Sequence, residues 1–323
     1  MKYRNDPATI RGSIAPLITP FSNDGALDLE SLRSLVRWQL QSGTHGVSIG
    51  GSTGEPSAQT IAERIQAIRA VAAEVGDAVP FLAGTGSAKL DETMELTAAA
   101  QEAGADAVLV ITPYYARPTQ EALYRWYRTV AAEFPALPII IYNVPSRTAV
   151  DLAPETVARL FRDCENVVGI KETTKDFEHF SRVLHLCGRD LLVWSGIEML
   201  SLPLLALGGV GFISAVSNLA PWAVSRMYDA WEAGDHEAAR NLHYGLHPLV
   251  DLLFVETNPT PLKWVLHQQN RLSSPHVRPP LIPLTDDAVP RVRALLDQSA
   301  AVLGTPQAPS TLITATTPNG KTA

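Results

Sequence analysis

Pro138-Ile139-Ile140-Ile141-Tyr142-Asn143 and Asn166-Val167-Val168-Gly169-Ile170-Lys171 are two short apolar runs, each closing on polar residues, with a helical pattern at 154–161 between them. β-Branched residues dominate both runs, as in strands buried on two faces, and a strand–helix–strand order at this spacing folds as a parallel βαβ unit. The same unit recurs outward in both directions. Further apolar runs stand at 13–19, 46–49, 80–83, 107–112, 191–195 and 211–214, making eight in all. Helical patterns at 29–41, 61–75, 90–103, 120–133, 177–187 and 198–207 separate them, the first carrying Leu32, Leu35, Val36 and Leu40 on one face. This alternation predicts an α/β fold, a (β/α)8 TIM barrel. The competing architecture is a doubly wound sheet, but no G-x-G-x-x-G follows the first strand.

The alternation stops at Pro221. Stretches 222–233, 236–254, 259–269 and 287–302 read as helices. The expected organisation is therefore a barrel over 10–220, a C-terminal helical region packed on it over 221–304, and a flexible tail over 305–323. That tail is rich in Thr, Pro and Ala, shows no periodicity, and is given no catalytic role.

Composition narrows the function classes. Hydrophobic residues make up 46% and charged residues 18% of the 323, which suits a chain with a sizeable core. A net charge of −7 without a basic block argues against a nucleic-acid partner. The two cysteines, Cys164 and Cys187, have no metal-type spacing and form no disulfide framework, which fits a reducing compartment. The first nine residues hold charges but no apolar h-region, and no apolar run approaches the ~20 residues of a membrane span. A cytoplasmic protein with no membrane partner is the expectation.

In a (β/α)8 barrel the chemistry sits at the C-terminal strand ends, so the residues just past each strand are the candidates. Gly50-Gly51-Ser52-Thr53-Gly54-Glu55 follows the second run, and its amides and hydroxyls suit a carboxylate, although Gly-rich βα loops are common. Thr112-Pro113-Tyr114-Tyr115 follows the fourth; taken alone, its two phenols read as packing surface. Tyr142 and Arg147 share the turn after the fifth, where a guanidinium is suited to hold a carboxylate. Lys171 closes the sixth, and in an apolar mouth its ammonium is disfavoured and its amine nucleophilic. Each residue alone has an ordinary structural explanation. Together on one rim, an amine, a phenol, an anion-receiving loop and an Arg point to covalent catalysis on a small 2-oxo acid.

Two other patterns carry less. His243 and His247 stand four apart with Asp251 following, but they lie outside the barrel strands and Pro248 interrupts them. No metal site is assigned to them. Gly208-Gly209-Val210-Gly211 precedes the eighth strand, at the wrong end of a barrel for a phosphate cradle.

Several motifs, in order, resemble one family. They are Gly-Ser-Thr-Gly-Glu at 51–55, Thr-Pro-Tyr-Tyr at 112–115, Tyr-Asn-Val-Pro-Ser-Arg-Thr at 142–148, Gly-Ile-Lys-Glu at 169–172 and Asn-Pro-Thr-Pro-Leu-Lys-Trp at 258–264. The chain resembles the dihydrodipicolinate synthase / N-acetylneuraminate lyase family, class I pyruvate lyases, from about 14 to 284. The resemblance implies that Lys171 forms a Schiff base with pyruvate, that Tyr142 relays protons, and that Ser52 orients Tyr142. It implies that Tyr115 completes the relay across a dimer interface, and that Thr53 with the amides around Gly51 receives the carboxylate. Gly196 and Ile213 would line the pyruvate pocket, and Arg147 would hold the carboxylate of the second substrate. No cofactor is implied. The expected partners are pyruvate and an aldehyde, and a second copy of the chain in a homodimer or homotetramer.

Within the family, Arg147 points to the dihydrodipicolinate synthase branch. The implied reaction condenses pyruvate with L-aspartate 4-semialdehyde to 4-hydroxy-tetrahydrodipicolinate, a step of lysine and diaminopimelate biosynthesis. The alternatives are a paralogous class I aldolase or dehydratase on another 2-oxo acid or sugar acid, and a non-catalytic ligand-binding barrel. Departures from the branch are Ser52 for Thr, Pro56-Ser57-Ala58-Gln59 after the Gly-rich loop, and Ile197-Glu198 in place of two aspartates, which removes a carboxylate near the mouth. Tyr114 and Glu92 are kept where lysine-inhibited members bind lysine. Pro56, Ile61, Arg64 and Ala88 replace polar positions there, so insensitivity to L-lysine is expected.

Overall fold

A computed structural model describes residues 2–304, and the tail expected at 305–323 lies outside the described residues. The eight strands are β1 Gly12–Pro16, β2 Gly46–Ile49, β3 Phe81–Gly84, β4 Ala107–Ile111, β5 Ile139–Asn143, β6 Val167–Glu172, β7 Leu192–Ser195 and β8 Gly211–Ile213. They pair in sequence order as a closed barrel. β8 returns to β1 in parallel through Gly12↔Gly211, Ser13↔Phe212 and Ile14↔Ile213. Each strand lies within a few residues of its apolar run.

Period-two alternation sorts the side chains. Ile139 and Ile141 point outward into the layer shared with the helices, where they join Val108, Val110, Val193 and Ile170. Ile140 and Tyr142 belong to a separate cluster with Leu82, Leu109, Leu192 and Trp194, which fills the barrel interior. Ile10, just before β1, joins that interior cluster and plugs the bottom of the barrel. On β6, Ile170 faces outward, and alternation turns Lys171 inward and Glu172 outward again. Apolar packing on both faces of one short strand thus sets where the amine points.

The helices start where local chemistry allows it. Thr60 and Glu63 form a reciprocal capping box at Ile61–Val75, and Asp28, Thr119, Asp176 and Asp235 each accept a backbone N–H at a helix start. Two expected helices are broken. The stretch read as 236–254 is Gly245-terminated and resumes at His247–Leu253, because Pro248 offers no N–H to continue the ladder. The stretch read as 287–302 forms Val289–Gln298 and Ala300–Leu303, with the Ser299 hydroxyl bonded back to the Leu295 carbonyl at the break.

After β8 the chain forms Pro221–Glu232, whose Tyr228 meets Phe212 edge to face. The later helices join the same apolar cluster: Leu249, Leu252, Leu262 and Val265 pack with Phe212, Val216 and Ile18 of the barrel. This shared core brings residues beyond 250 to the barrel mouth. Among the described residues, no helix is long and apolar enough to cross a membrane.

Candidate active site

β5 and β6 align Tyr142 with Lys171, and β7 aligns Lys171 with Trp194. Both functional side chains turn inward at the C-terminal rim, and Lys171 is 6% exposed. Its Nζ stands 4.2 Å from the centroid of the Tyr142 ring. The Tyr142 hydroxyl in turn lies 2.8 Å from the Ser52 hydroxyl, so the phenol bridges the amine and the Gly-rich loop. That loop turns sharply at Gly50, where φ is +79° and a Cβ would stand 2.6 Å from the Gly84 carbonyl. Only glycine fits there.

Lys171 opens into a cavity of about 440 Å³ with Tyr142, Thr53, Gly196, Ile213 and Glu198 among its walls. Gly196 is a steric requirement: a Cβ there would meet Thr173 Oγ1 at 2.1 Å and Lys171 Cε at 2.9 Å. Thr53 accepts a hydrogen bond from the Asn258 amide at 3.0 Å, a contact spanning 205 residues. Arg147, on the short helix Pro145–Thr148, is exposed at the outer edge of the same cavity.

Of Ile197-Glu198, the second residue brings a carboxylate to the wall, which Asp251 also lines. Glu198 accepts from the Ala215 amide at 2.9 Å and from the Ser214 hydroxyl at 3.3 Å. Burial pushes its carboxyl up from the ordinary range, against the pull of nearby backbone amides and of the Lys171 charge. A small second space behind Glu198 is lined by His243 and His247, whose Nε2 atoms are 3.3 Å apart.

Behind Lys171, on the outer face of β6, Glu172 accepts from the Asn143 amide at 3.0 and 3.1 Å and from the backbone of Thr173 and Thr174 at 3.0 and 3.1 Å. His179 Nε2 stands 3.2 Å from its carboxylate. This cluster fixes the turn that carries Thr173 back into the cavity. Asn143, Glu172 and His179 were not singled out from sequence. The signal available was a carboxylate beside Lys171 at the end of an apolar strand.

Of the residues expected in the site, the structure brings together Lys171, Tyr142, Ser52, Thr53, Gly51, Gly196 and Ile213, with Arg147 at the edge. It does not bring Tyr115 to them within one chain. Tyr115 is 95% exposed and is held at φ +73°, a left-handed backbone uncommon for a tyrosine.

An ordered set of strand-end residues of this kind is a family pattern, and residues 9–299 match the Dihydrodipicolinate synthetase family. The chain belongs to that family. It is 47% identical over 288 residues to a 4-hydroxy-tetrahydrodipicolinate synthase of Thermus thermophilus, covering 89% of this chain and 96% of that one. The solved dihydrodipicolinate synthase of Thermotoga maritima superposes with a TM-score of 0.86 at 39% identity, over 90% of this chain and 99% of its own. DHDPS from Cyanidioschyzon merolae, solved with lysine bound, superposes at 0.87 with 30% identity, over 90% and 99%.

A further cavity, of about 230 Å³, adjoins the first across Ser52, Tyr142 and Arg147. Tyr114 and Arg64 line it. Arg64 is 6% exposed and donates to the Gly84 and Gly86 carbonyls at 3.0 and 3.2 Å. Burial lowers its guanidinium to about 10, only partly offset by Tyr114 and Glu92.

Proposed function

We propose that this chain is a 4-hydroxy-tetrahydrodipicolinate synthase, which condenses pyruvate with L-aspartate 4-semialdehyde through a Schiff base on Lys171. The observation that carries the reading is the contiguous line Lys171, Tyr142 and Ser52, inward-facing at the barrel mouth, in a chain 47% identical to a named synthase.

In this mechanism the Lys171 amine attacks the ketone carbon of pyruvate, and water leaves as the imine forms. Loss of a methyl proton gives an enamine, whose carbon attacks the aldehyde of the second substrate. The amino group of that substrate then adds to the Schiff-base carbon, closing the ring and releasing the Lys171 amine. Tyr142 carries protons to and from these steps, and Ser52 keeps the phenol aimed. Thr53 and the amides around Gly51 receive the pyruvate carboxylate. Gly196 leaves room for the adduct where any side chain would clash, and Ile213 forms the apolar floor. Arg147 binds the carboxylate of the semialdehyde at the cavity edge. The protonated imine on Lys171 is itself the electron sink for loss of the methyl proton, so the reaction needs no cofactor.

The exposed Tyr115 supports a homodimer in which each copy offers this phenol to its partner's Tyr142 relay. Further pairing of such dimers would make a tetramer. The reading also favours the cytoplasm, in line with two cysteines that form no disulfide framework.

The test is borohydride reduction with pyruvate, read by intact mass, followed by turnover with aspartate semialdehyde coupled to an added dihydrodipicolinate reductase. Adduct and turnover, both lost in Lys171→Ala, are the expected result. An adduct without turnover would move the second substrate to another aldehyde or sugar acid. No adduct would leave a ligand-binding barrel.

A further inference from the structure

Two residues of the family motifs, Glu55 and Lys263, have no part in the mechanism above, yet the fold brings them together. Lys263, from the stretch 258–264, is wholly buried, and its Nζ forms an ion pair with Glu55 Oε1 at 2.5 Å. Glu55 ends the Gly-rich loop at φ +53°, a left-handed backbone that is strained for a non-glycine residue. The rest of the Lys263 surroundings is tight. Its ammonium donates to the His276 carbonyl at 2.9 Å and lies 4.1 Å from the centroid of Phe21. Arg278 approaches from the other side, giving its backbone N–H to Glu55 Oε2 at 3.0 Å and its guanidinium to Glu63.

We propose that Lys263 is a positioning residue for the pyruvate-binding loop: through Glu55 it pins the loop's far end, so that Thr53 and the neighbouring amides face the Schiff base. The proposal rests on the pyruvate reading above. Four ties then hold the six-residue loop 50–55. Gly50 is wedged against Gly84, Ser52 is bonded to Tyr142, Thr53 accepts from Asn258, and Glu55 is paired with Lys263. Two of the four come from the C-terminal helical region, which therefore acts as the outer wall of the site.

The energetics favour a positioning role over a stabilising one. Burial drives the Lys263 ammonium down to about 8, although Glu55 pulls it up; Arg278 adds to the lowering. The unfolded chain therefore holds this proton more tightly than the folded one. The charge is a net cost to folding at neutral pH, and stability from this group rises only as pH passes from about 8 toward 10.5. A buried pair whose desolvation outweighs its attraction is a poor stabiliser, and fixing a geometry is the use best attested for such pairs.

The experiment compares the wild-type chain with Lys263→Met and with the double variant Glu55→Gln/Lys263→Met. The double variant leaves neither charge buried alone, and so keeps the comparison possible if the single variant does not fold. Circular dichroism establishes folding, and borohydride trapping across pyruvate concentrations gives the half-saturating value. A displaced loop should raise that value, and KM for pyruvate, by about tenfold or more, while kcat and the maximal adduct of one per chain change little. A purely structural role would lower folded yield but leave the half-saturating concentration of the folded protein within about twofold of wild type, and that result overturns the proposal. No adduct on the wild-type chain would instead overturn the pyruvate reading, and the proposal with it.

Discussion

Lys171 Nζ lies 4.2 Å from the centroid of the Tyr142 ring, and the two residues are direct register partners on β6 and β5. Neighbouring parallel strands share a pleat, so partners in register point to the same face. The amine and the phenol are thus held together by backbone hydrogen bonds rather than by flexible loops, as a proton relay requires. Tyr142→Phe keeps the packing and removes only the hydroxyl. It should lower kcat by about 10²–10³ with little change in stability. Ser52→Ala removes the orienting bond alone and should cost less, about tenfold. Equal losses in the two variants would argue that Ser52 itself carries a proton.

Arg147 sits at the cavity edge, away from Lys171, and its role should separate from the pyruvate half-reaction. Arg147→Ala is expected to raise KM for the semialdehyde by about 10²-fold, near the worth of a lost charge-assisted contact of about 2–3 kcal/mol. Borohydride trapping of pyruvate should be unchanged. Loss of trapping would place Arg147 in the first half-reaction instead.

Tyr115 is 95% exposed, and the proposed homodimer gives it a role in the partner's site. Tyr115→Ala and Lys171→Ala should each be nearly inactive alone. Mixed by co-expression, they form hybrid dimers with one complete site of two, and should recover about a quarter of wild-type activity. No recovery, with mixing verified by mass, would remove Tyr115 from the relay.

Arg64 puts a buried cation beside Tyr114 in the wall of the 230 Å³ cavity, so the ammonium of an L-lysine entering there would meet a like charge. Like charges in a low-dielectric pocket repel strongly. L-Lysine up to millimolar levels should leave turnover unchanged, and half-maximal inhibition at submillimolar lysine would refute this. Arg64→His should relieve part of the repulsion.

The Glu172–His179 pair makes a pH prediction with a definite sign. Burial disfavours the His179 charge, but Glu172, with Asp151 and Asp176, outweighs it and raises the imidazolium above 6.5. Burial also raises the Glu172 carboxyl above 4.5. Both groups bind their protons more tightly folded than unfolded. The His179 contribution is therefore complete below pH 6.5 and is lost as pH rises through its higher folded value, and the Glu172 shift acts in the same direction. Thermal melts between about pH 6 and 8 should show Tm falling more steeply in wild type than in His179→Gln. A flat wild-type profile would mean that the pair does not titrate there.

What the amino-acid order determined by itself was the barrel and most of its rim. Strand–helix alternation is a local property, and Ile139, Ile140, Ile141 and Tyr142 carry their inward and outward assignments in the period of the strand. Once β6 is read, Lys171 can end only at the C-terminal mouth. The helix breaks at Leu246 and Ser299 were less legible, since apolar periodicity continues across a position where only the backbone hydrogen bond fails. Tertiary structure alone decided the ties between distant segments. Asn258 meets Thr53 and Lys263 meets Glu55, because barrel closure and a shared apolar core bring their backbones together. A lysine between Leu262 and Val265 shows in sequence only that a charge lies on a buried face. Which carboxylate compensates it depends on packing against a loop at the other end of the chain, and no periodicity records that.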